Sequence, residues 1–457
     1  MGEIRAMTQT QASLTEGSIP KKMLLFALPI FLSNLFQQLY STADSLIVGN
    51  FIGKDALAAV GSSGNLIFLL VGFANGVAMG AGVLIARYFG AKDDGSLEKA
   101  VHTTVAIGLA GSVILRAAGV AMTPLILRWM GTPDNVMADS VSFFRIYSAG
   151  LSSVVLYNIG AGILQSVGDS RSPMRSLIFA SVLNVALDLL FVAVLGFGVG
   201  SAALGTILSQ TVSAALVFRK LARCRGCAYQ VRFRRVRFDR QVFGKVMALG
   251  IPSGVQNSII ALANVVVQSK INAFGASAMA GCGAYSKIEG FAFLPVTCFA
   301  MALATFVSQN LGAEKYDRVH AGTRFGIFCS TLLAEGIGLL VYALAPWLIG
   351  FFSSNPSVIR YGIGNARTIA LFYCLLAFSH CCAGILRGMG RPVVPMVVML
   401  LIWCVLRLTY INAALHFLPQ IRVVWWAYPL TWAVSGVIFS VYLFRARIPG
   451  KLSVRLL

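Results

Sequence analysis

The chain has 457 residues, of which 57% are hydrophobic and only 12% charged, and its mean hydropathy is +0.79. A soluble fold of this length could not cover so much apolar surface, so water is excluded as its only solvent. The formal net charge of +21 suggests nucleic acid, but no RNA- or DNA-binding motif accompanies it, and none is expected as a partner.

Residues 1–22 are polar, carry Glu3 and Glu16, and have no apolar core ahead of Lys21 and Lys22. They predict an uncleaved cytoplasmic N-terminal segment. A spanning helix needs about 20 mostly apolar residues. Twelve such stretches follow, near 23–49, 57–86, 101–122, 137–163, 175–195, 199–218, 246–271, 280–308, 322–350, 358–385, 393–416 and 423–444. The chain therefore reads as an all-α polytopic membrane protein with 12 transmembrane helices. Six fall in an N-lobe (23–218) and six in a C-lobe (246–444). A basic linker, 219–245, joins the lobes, and a basic tail, 445–457, ends the chain.

The two lobes repeat one another. Gly162, Ile163, Leu164, Gly168, Pro173 and Met174 recur 222 positions later as Gly384, Ile385, Leu386, Gly390, Pro395 and Met396. Gly90-Ala91 returns as Gly312-Ala313 and Pro124 as Pro346 at the same offset. Pro29 and Asn34 match Pro252 and Asn257 one position further on. Six helices per repeat is an even number, so both repeats enter from one side and are parallel. Two related halves in a membrane are the usual build of a secondary transporter.

Charge sets the orientation. With a cytoplasmic N-terminus, the outer turns hold only Lys54, Arg128, Arg360 and Arg422 of the basic residues. The linker instead holds Arg219, Lys220, Arg223, Arg225, Arg232, Arg234, Arg235, Arg237, Arg240 and Lys245 against the single acid Asp239. That bias predicts a plasma-membrane protein with both termini cytoplasmic and the linker resting on anionic lipid.

Catalytic signatures are lacking. There is no P-loop, HExxH or GxSxG, and neither Asp44 nor Asp188 stands in a GxGD-like context, so an enzyme is not expected. Cys224 and Cys227 form one CxxC in the linker with no second ligand pair nearby, which argues against a structural metal. No cofactor is predicted, and an ion gradient must supply the energy.

The informative residues are polar ones inside apolar helices, where an ionised Asp costs about 2.5–3.5 kcal/mol on insertion scales. In the first helix Gln37, Tyr40 and Asp44 are spaced i, i+3, i+7 and share one face. In the fifth, Asn184 and Asp188 stack four residues apart. Both acids fall in the outer half of the membrane, so two helices could offer carboxylates to one cation or proton. The second repeat lacks this set: Asp188 pairs by offset with Tyr410, and the counterpart of Asp44 lies in Val265-Val266-Val267-Gln268. Asn257, Lys287, Glu289, Glu335 and Arg407 are its deep polar groups. Of these, Asn257 and Glu289 are expected to complete a substrate cavity. Pro29, inside the first helix, is a candidate kink and gate.

These residues resemble the multidrug and toxic compound extrusion (MATE) family over essentially the whole chain, with the DinF-like and MepA-like bacterial branch nearest. The resemblance rests on Gln37-Gln38-Leu39-Tyr40-Ser41-Thr42-Ala43-Asp44-Ser45, Ala56-Leu57-Ala58-Ala59-Val60-Gly61, Phe89-Gly90-Ala91-Lys92, the Asn184–Asp188 pattern and Ser308-Gln309-Asn310-Leu311-Gly312-Ala313. It implies that Asp44, Asn184, Asp188 and Thr206 line a proton or Na⁺ site, with any Na⁺ held by Asp44, Asn184 and Asp188. It also implies that Gln37, Tyr40 and Asn158 line the cavity. The acid that NorM-like members carry in the seventh helix is absent here. Gln165 stands where relatives often have Arg, while Arg387 keeps that Arg in the second repeat. The expected activity is monomeric, alternating-access export of amphiphilic, cationic organic compounds in exchange for H⁺ or Na⁺. Two alternatives are a lipid-linked precursor flippase of the related superfamily and, more remotely, an intramembrane aspartyl enzyme.

Overall fold

A computed structural model of the protein describes residues 13–129 and 134–445. Much of the predicted N-terminal segment and nearly all of the tail lie outside the described residues. Among the described residues the elements are helical: α1 (Ile19–Phe51), α2 (Lys54–Gly90), α3 (Asp94–Trp129), α4 (legs Asp134–Ala149 and Leu151–Ser166), α5 (Arg171–Asp188, continued by a π turn, Leu189–Val194) and α6 (Gly200–Arg223). The second repeat gives α7 (Arg240–Asn272), α8 (Ala276–Gly312), α9 (Tyr316–Gly350), α10 (Pro356–Ile369 and Tyr373–Gly388 around a 3₁₀ turn), α11 (Val393–Met399 and Arg407–Phe417 around a π segment) and α12 (Ile421–Arg445). Among the described residues eleven helices are long and apolar enough to cross a membrane, and the bent α4, counted as one span, makes twelve. The all-α, twelve-span architecture read from the sequence holds.

The backbone repeats as the sequence does. Gly53 and Gly275, Lys92 and Glu314, and Gly168 and Gly390 all have positive φ, and each pair is 222 positions apart. Lys92 and Glu314 are not glycines, so the turn geometry is imposed on them by what surrounds it. Both turns close their helix with the same bonds. Lys92 N donates to Phe89 O and Asp93 N to Tyr88 O, while Glu314 N donates to Leu311 O and Lys315 N to Asn310 O. This is the Schellman pattern that satisfies the last carbonyls of a helix.

Two of the predicted spans are bent. The stretch 137–163 bends by 45° at Gly150, and 358–385 breaks at Ala370–Phe372. Gly150 and Phe372 are again one repeat apart. At the second break the Glu335 carboxylate accepts from Cys374 N at 3.1 Å, so Glu335 caps the new helix start. The helices also overrun their apolar stretches through charged ends that suit the helix dipole. Asp94 opens α3 and Lys220 and Arg223 close α6, leaving Cys224–Asp239 as the segment between the repeats.

The chain divides into two compact units, one of Leu32–Gly254 and one of Leu14–Phe31 with the chain from Val255 onward. The division falls inside α1 and α7, two residues after Pro29 and two after Pro252, and not in the linker. In the first unit α2 and the part of α7 up to Gly254 cross through facing small residues. Gly76 and Gly80 lie against the backbone of Gly254 and Gly250, with no room for a Cβ at any of these positions. Close backbone approach through small-xxx-small pairs is how helices associate in lipid. The linker is tied to the start of α3. Arg232 N donates to His102 Nε2 at 3.1 Å, Asp239 N donates to Thr103 Oγ1 at 3.2 Å, and Arg235 pairs with Glu98 at 2.7 Å. In the second unit the segment before α1 is held similarly. Leu14 N donates to Gln309 Oε1 at 3.0 Å, and Arg318 donates to Gly17 O at 2.8 Å and Leu14 O at 3.1 Å.

Adding side chains at the α2–α7 crossing should loosen the first unit. We expect Gly254→Val to lower the midpoint of thermal unfolding in detergent, with a destabilisation of at least about 1–3 kcal/mol. Gly336→Ala on α9, where a Cβ meets nothing within 4 Å, should leave it unchanged.

Candidate functional site

Three helices of the first unit supply one polar cluster. On α5, Asn184 and Asp188 are one turn apart and 1% and 0% exposed. The π turn begins at the residue after Asp188. Such a register shift re-aims side chains and recurs at functional sites. On α6, Thr206 Oγ1 accepts from Asn184 Nδ2 at 3.4 Å and donates to Ala202 O at 3.1 Å. One turn further, Gln210 Nε2 donates to the Tyr40 hydroxyl of α1 at 3.2 Å. Gln37 and Tyr147 also lie beside Tyr40. Asp44, one turn beyond Tyr40, has its carboxyl against that of Asp188.

The arrangement is short of donors. Asp44 Oδ1, Asn184 Oδ1, both Asp188 carboxyl oxygens and Gln210 Oε1 are buried, and none accepts a hydrogen bond among the described residues. A buried carboxylate with nothing to neutralise it is costly, so it takes a proton or a cation. Carboxylate, amide and hydroxyl oxygens are the ligands a hard cation prefers. The cluster can thus hold either H⁺ or a small cation.

The sequence-predicted coupling set, Asp44, Asn184, Asp188 and Thr206, comes together in this cluster. Gln37 and Tyr40 adjoin it, and Asn158 is half-buried on α4 of the same unit. Asn257, Glu289 and Pro29 belong to the second unit. There the Glu289 carboxylate accepts from the Tyr285 hydroxyl at 3.5 Å, and Tyr285 meets Tyr373 at 2.8 Å. Arg407 donates twice to Thr431 Oγ1, at 2.9 and 3.3 Å, and stacks over Tyr428 at 4.3 Å.

Sequence reading missed two residues. Gln210 sits on α6 four positions after Thr206, and that spacing was the available signal. Gly205 is the second. A Cβ there would run into Asp188 Oδ1, so the bare glycine makes the room in which the carboxyl lies. Gly205→Ala should push Asp188 aside. We expect efflux to fall by about 10–100-fold, the effect of about 1–3 kcal/mol, with the protein still inserted. Wild-type turnover in that variant would show that Asp188 needs no such space.

Comparison with known proteins gives a consistent answer. The family model described as MatE matches residues 29–190 and 252–411, one match in each repeat. "Probable multidrug resistance protein YoeA" of Bacillus subtilis is 29% identical over 439 residues, covering 94% of both chains. "Probable multidrug resistance protein NorM" of Thermotoga maritima is 25% identical, covering 83% of this chain and 82% of its own. Among solved structures, a MOP superfamily transporter from Pyrococcus furiosus superposes with TM-score 0.89 at 22% identity, covering 94% of this chain and 96% of that one.

Proposed function

The chain belongs to the MatE family of membrane transporters, and on that premise we propose that it is a secondary active multidrug efflux antiporter. It exports amphiphilic, cationic organic compounds in exchange for H⁺ or Na⁺ by alternating access. The observation that carries this reading is the set of orphaned acceptor oxygens around Asp44 and Asp188. Such a set of carboxylate and amide oxygens suits an incoming cation from a gradient. The names of the relatives, probable multidrug resistance proteins, support the substrate class. An intramembrane enzyme is excluded by family, since its members are transporters.

The mechanism follows from differential affinity. A proton or Na⁺ at Asp44 and Asp188, with Asn184 and Thr206 completing the shell, neutralises the first unit's site. The neutralised and ionised forms favour different states of the transporter, and the drug binds one state more tightly than the other. Coupling is that difference in free energy. Gln37, Tyr40 and Asn158 in the first unit, and Asn257 and Glu289 in the second, are the residues assigned to drug binding. In a flippase Arg407 would serve as a phosphate ligand, but it is committed to Thr431 and Tyr428, which favours a cationic drug. The transporter lies in the plasma membrane as a monomer with both termini cytoplasmic, and the basic linker rests on anionic headgroups.

Asp44→Asn should reduce gradient-driven dye efflux from proteoliposomes to background while insertion is retained. If the two acids share one ion, Asp188→Asn should be nearly as damaging, and the double substitution no worse than either. Imposing pH and Na⁺ gradients separately identifies the ion. Additive partial losses would mean two separate sites.

We assign gating to Pro29. Pro29 lies well inside α1, past its first turns, where proline removes a backbone bond and favours a kink. Pro252 is its repeat counterpart in α7. Pro29→Ala should stiffen α1, leaving drug affinity within about twofold while efflux falls by about tenfold, because the two states are no longer balanced. Affinity and turnover measured side by side test this, and unchanged turnover would remove Pro29 from the mechanism.

A further inference from the structure

The CxxC of the linker is not used by the transport reading, and its geometry stands independently of that reading. α6 ends at Arg223, and Cys224-Arg225-Gly226-Cys227 forms a tight turn. Cys227 N donates to Cys224 O at 3.1 Å, and Gly226 has φ +80°, the value a type II turn needs at its third residue. A turn of this kind keeps its first and last Cα atoms within about 7 Å, close to the 4.4–6.8 Å range of disulfides. The two sulfur atoms face each other at 2.7 Å. The Cys224 thiol donates to the Tyr229 hydroxyl oxygen at 3.3 Å.

The chain that follows holds this arrangement in place. Gln230 N donates to Cys227 O at 3.0 Å and Val231 N to Leu221 O at 3.3 Å. Gln230 Nε2 donates to Ala222 O at 2.8 Å. The segment thus folds back over the last turn of α6, and Val231 and Leu221 are buried. The pair is half-buried, not sealed. The other seven cysteines all lie in membrane-spanning helices, five of them buried.

We propose that Cys224 and Cys227 are a reversible dithiol–disulfide site, open to exchange with small-molecule disulfides on the linker side of the membrane. The step balances as two successive exchanges. One thiolate of the pair attacks a sulfur of the oxidant, forms a mixed disulfide and releases one thiol of the oxidant. The other thiolate then attacks the protein sulfur of that bond, closes Cys224–Cys227 and releases the second thiol. Two electrons and two protons pass from the pair to the oxidant, which is reduced to two thiols. Burial pushes the Cys224 thiol up to about 11, so the reduced form rests protonated. Exchange should therefore quicken about tenfold per pH unit below that value. Burial likewise pushes the Tyr229 phenol up, so it stays neutral beside the sulfur.

The test uses the full-length protein in detergent, equilibrated in glutathione buffers of increasing oxidised fraction. Thiols are then alkylated after acid quenching and denaturation, and labels are counted by mass. The reduced protein should carry nine labels, one per cysteine. The oxidised protein should carry two fewer, with both losses at positions 224 and 227. The change should reverse on returning to reduced glutathione. Because Arg225 separates the two cysteines, trypsin should leave two peptides joined by the bond. Cys227→Ser should instead keep glutathione on Cys224, because no second thiol can displace it. Nine labels at every buffer ratio would overturn the proposal, as would a stable glutathione adduct on the unmodified protein.

Discussion

Five buried acceptor oxygens without a donor are the constraint around which the first unit is organised. In a lipid-embedded bundle the backbone satisfies itself within each helix, so side chains alone decide whether a buried charge is tolerable. Here Asp188 is fully buried and neither of its carboxyl oxygens accepts a bond among the described residues. Gly205 gives up its side chain to make room for the Asp188 carboxyl, and the π turn of α5 starts at the residue after Asp188.

The repeats share a backbone and differ in chemistry, and the reason lies in which atoms each property uses. Helix ends, the left-handed turns at Lys92 and Glu314 and the breaks at Gly150 and Phe372 depend on main-chain geometry. They survive while side chains diverge. Thr206, which joins the Asn184–Asp188 cluster, has Tyr428 one repeat later, and Tyr428 is the platform under Arg407. Asp188 becomes Tyr410 and Asn158 becomes His380. One scaffold thus carries a carboxylate cluster in one unit and an Arg407–Thr431–Tyr428 contact in the other.

Most of this was legible before the structure. Apolar length gave the helices, because a membrane leaves few alternatives to a span of about 20 residues. The i, i+4 spacing of Asn184 and Asp188 and the stripe from Gln37 to Asp44 marked the two faces that meet. What stayed hidden was tertiary. Nothing local to Gly205 distinguishes it from the many glycines of a membrane helix; its role exists only because Asp188 arrives opposite. Gln210 became visible only through its bond to Tyr40. The bends of α4 and α10 carry no proline to announce them. Glu335, an intramembrane acid that could have served the cavity, caps a helix start whose break was itself not foreseen.

The prolines tie fold to mechanism. In both repeats the chain leaves one compact unit for the other two residues after the repeated proline. α1 therefore carries Pro29 at the point where its allegiance changes and Asp44 within the unit it then enters. A proline inside a helix removes one backbone hydrogen bond and favours a kink. On the antiport reading proposed above, α1 is the helix on which the proposed gate, Pro29, and the proposed ion-binding acid, Asp44, stand together. A few kilocalories per mole of differential binding, about 5.5 for a complete switch from 1:99 to 99:1, is all such a device requires. Burying or neutralising a single carboxylate in hydrocarbon is of that order.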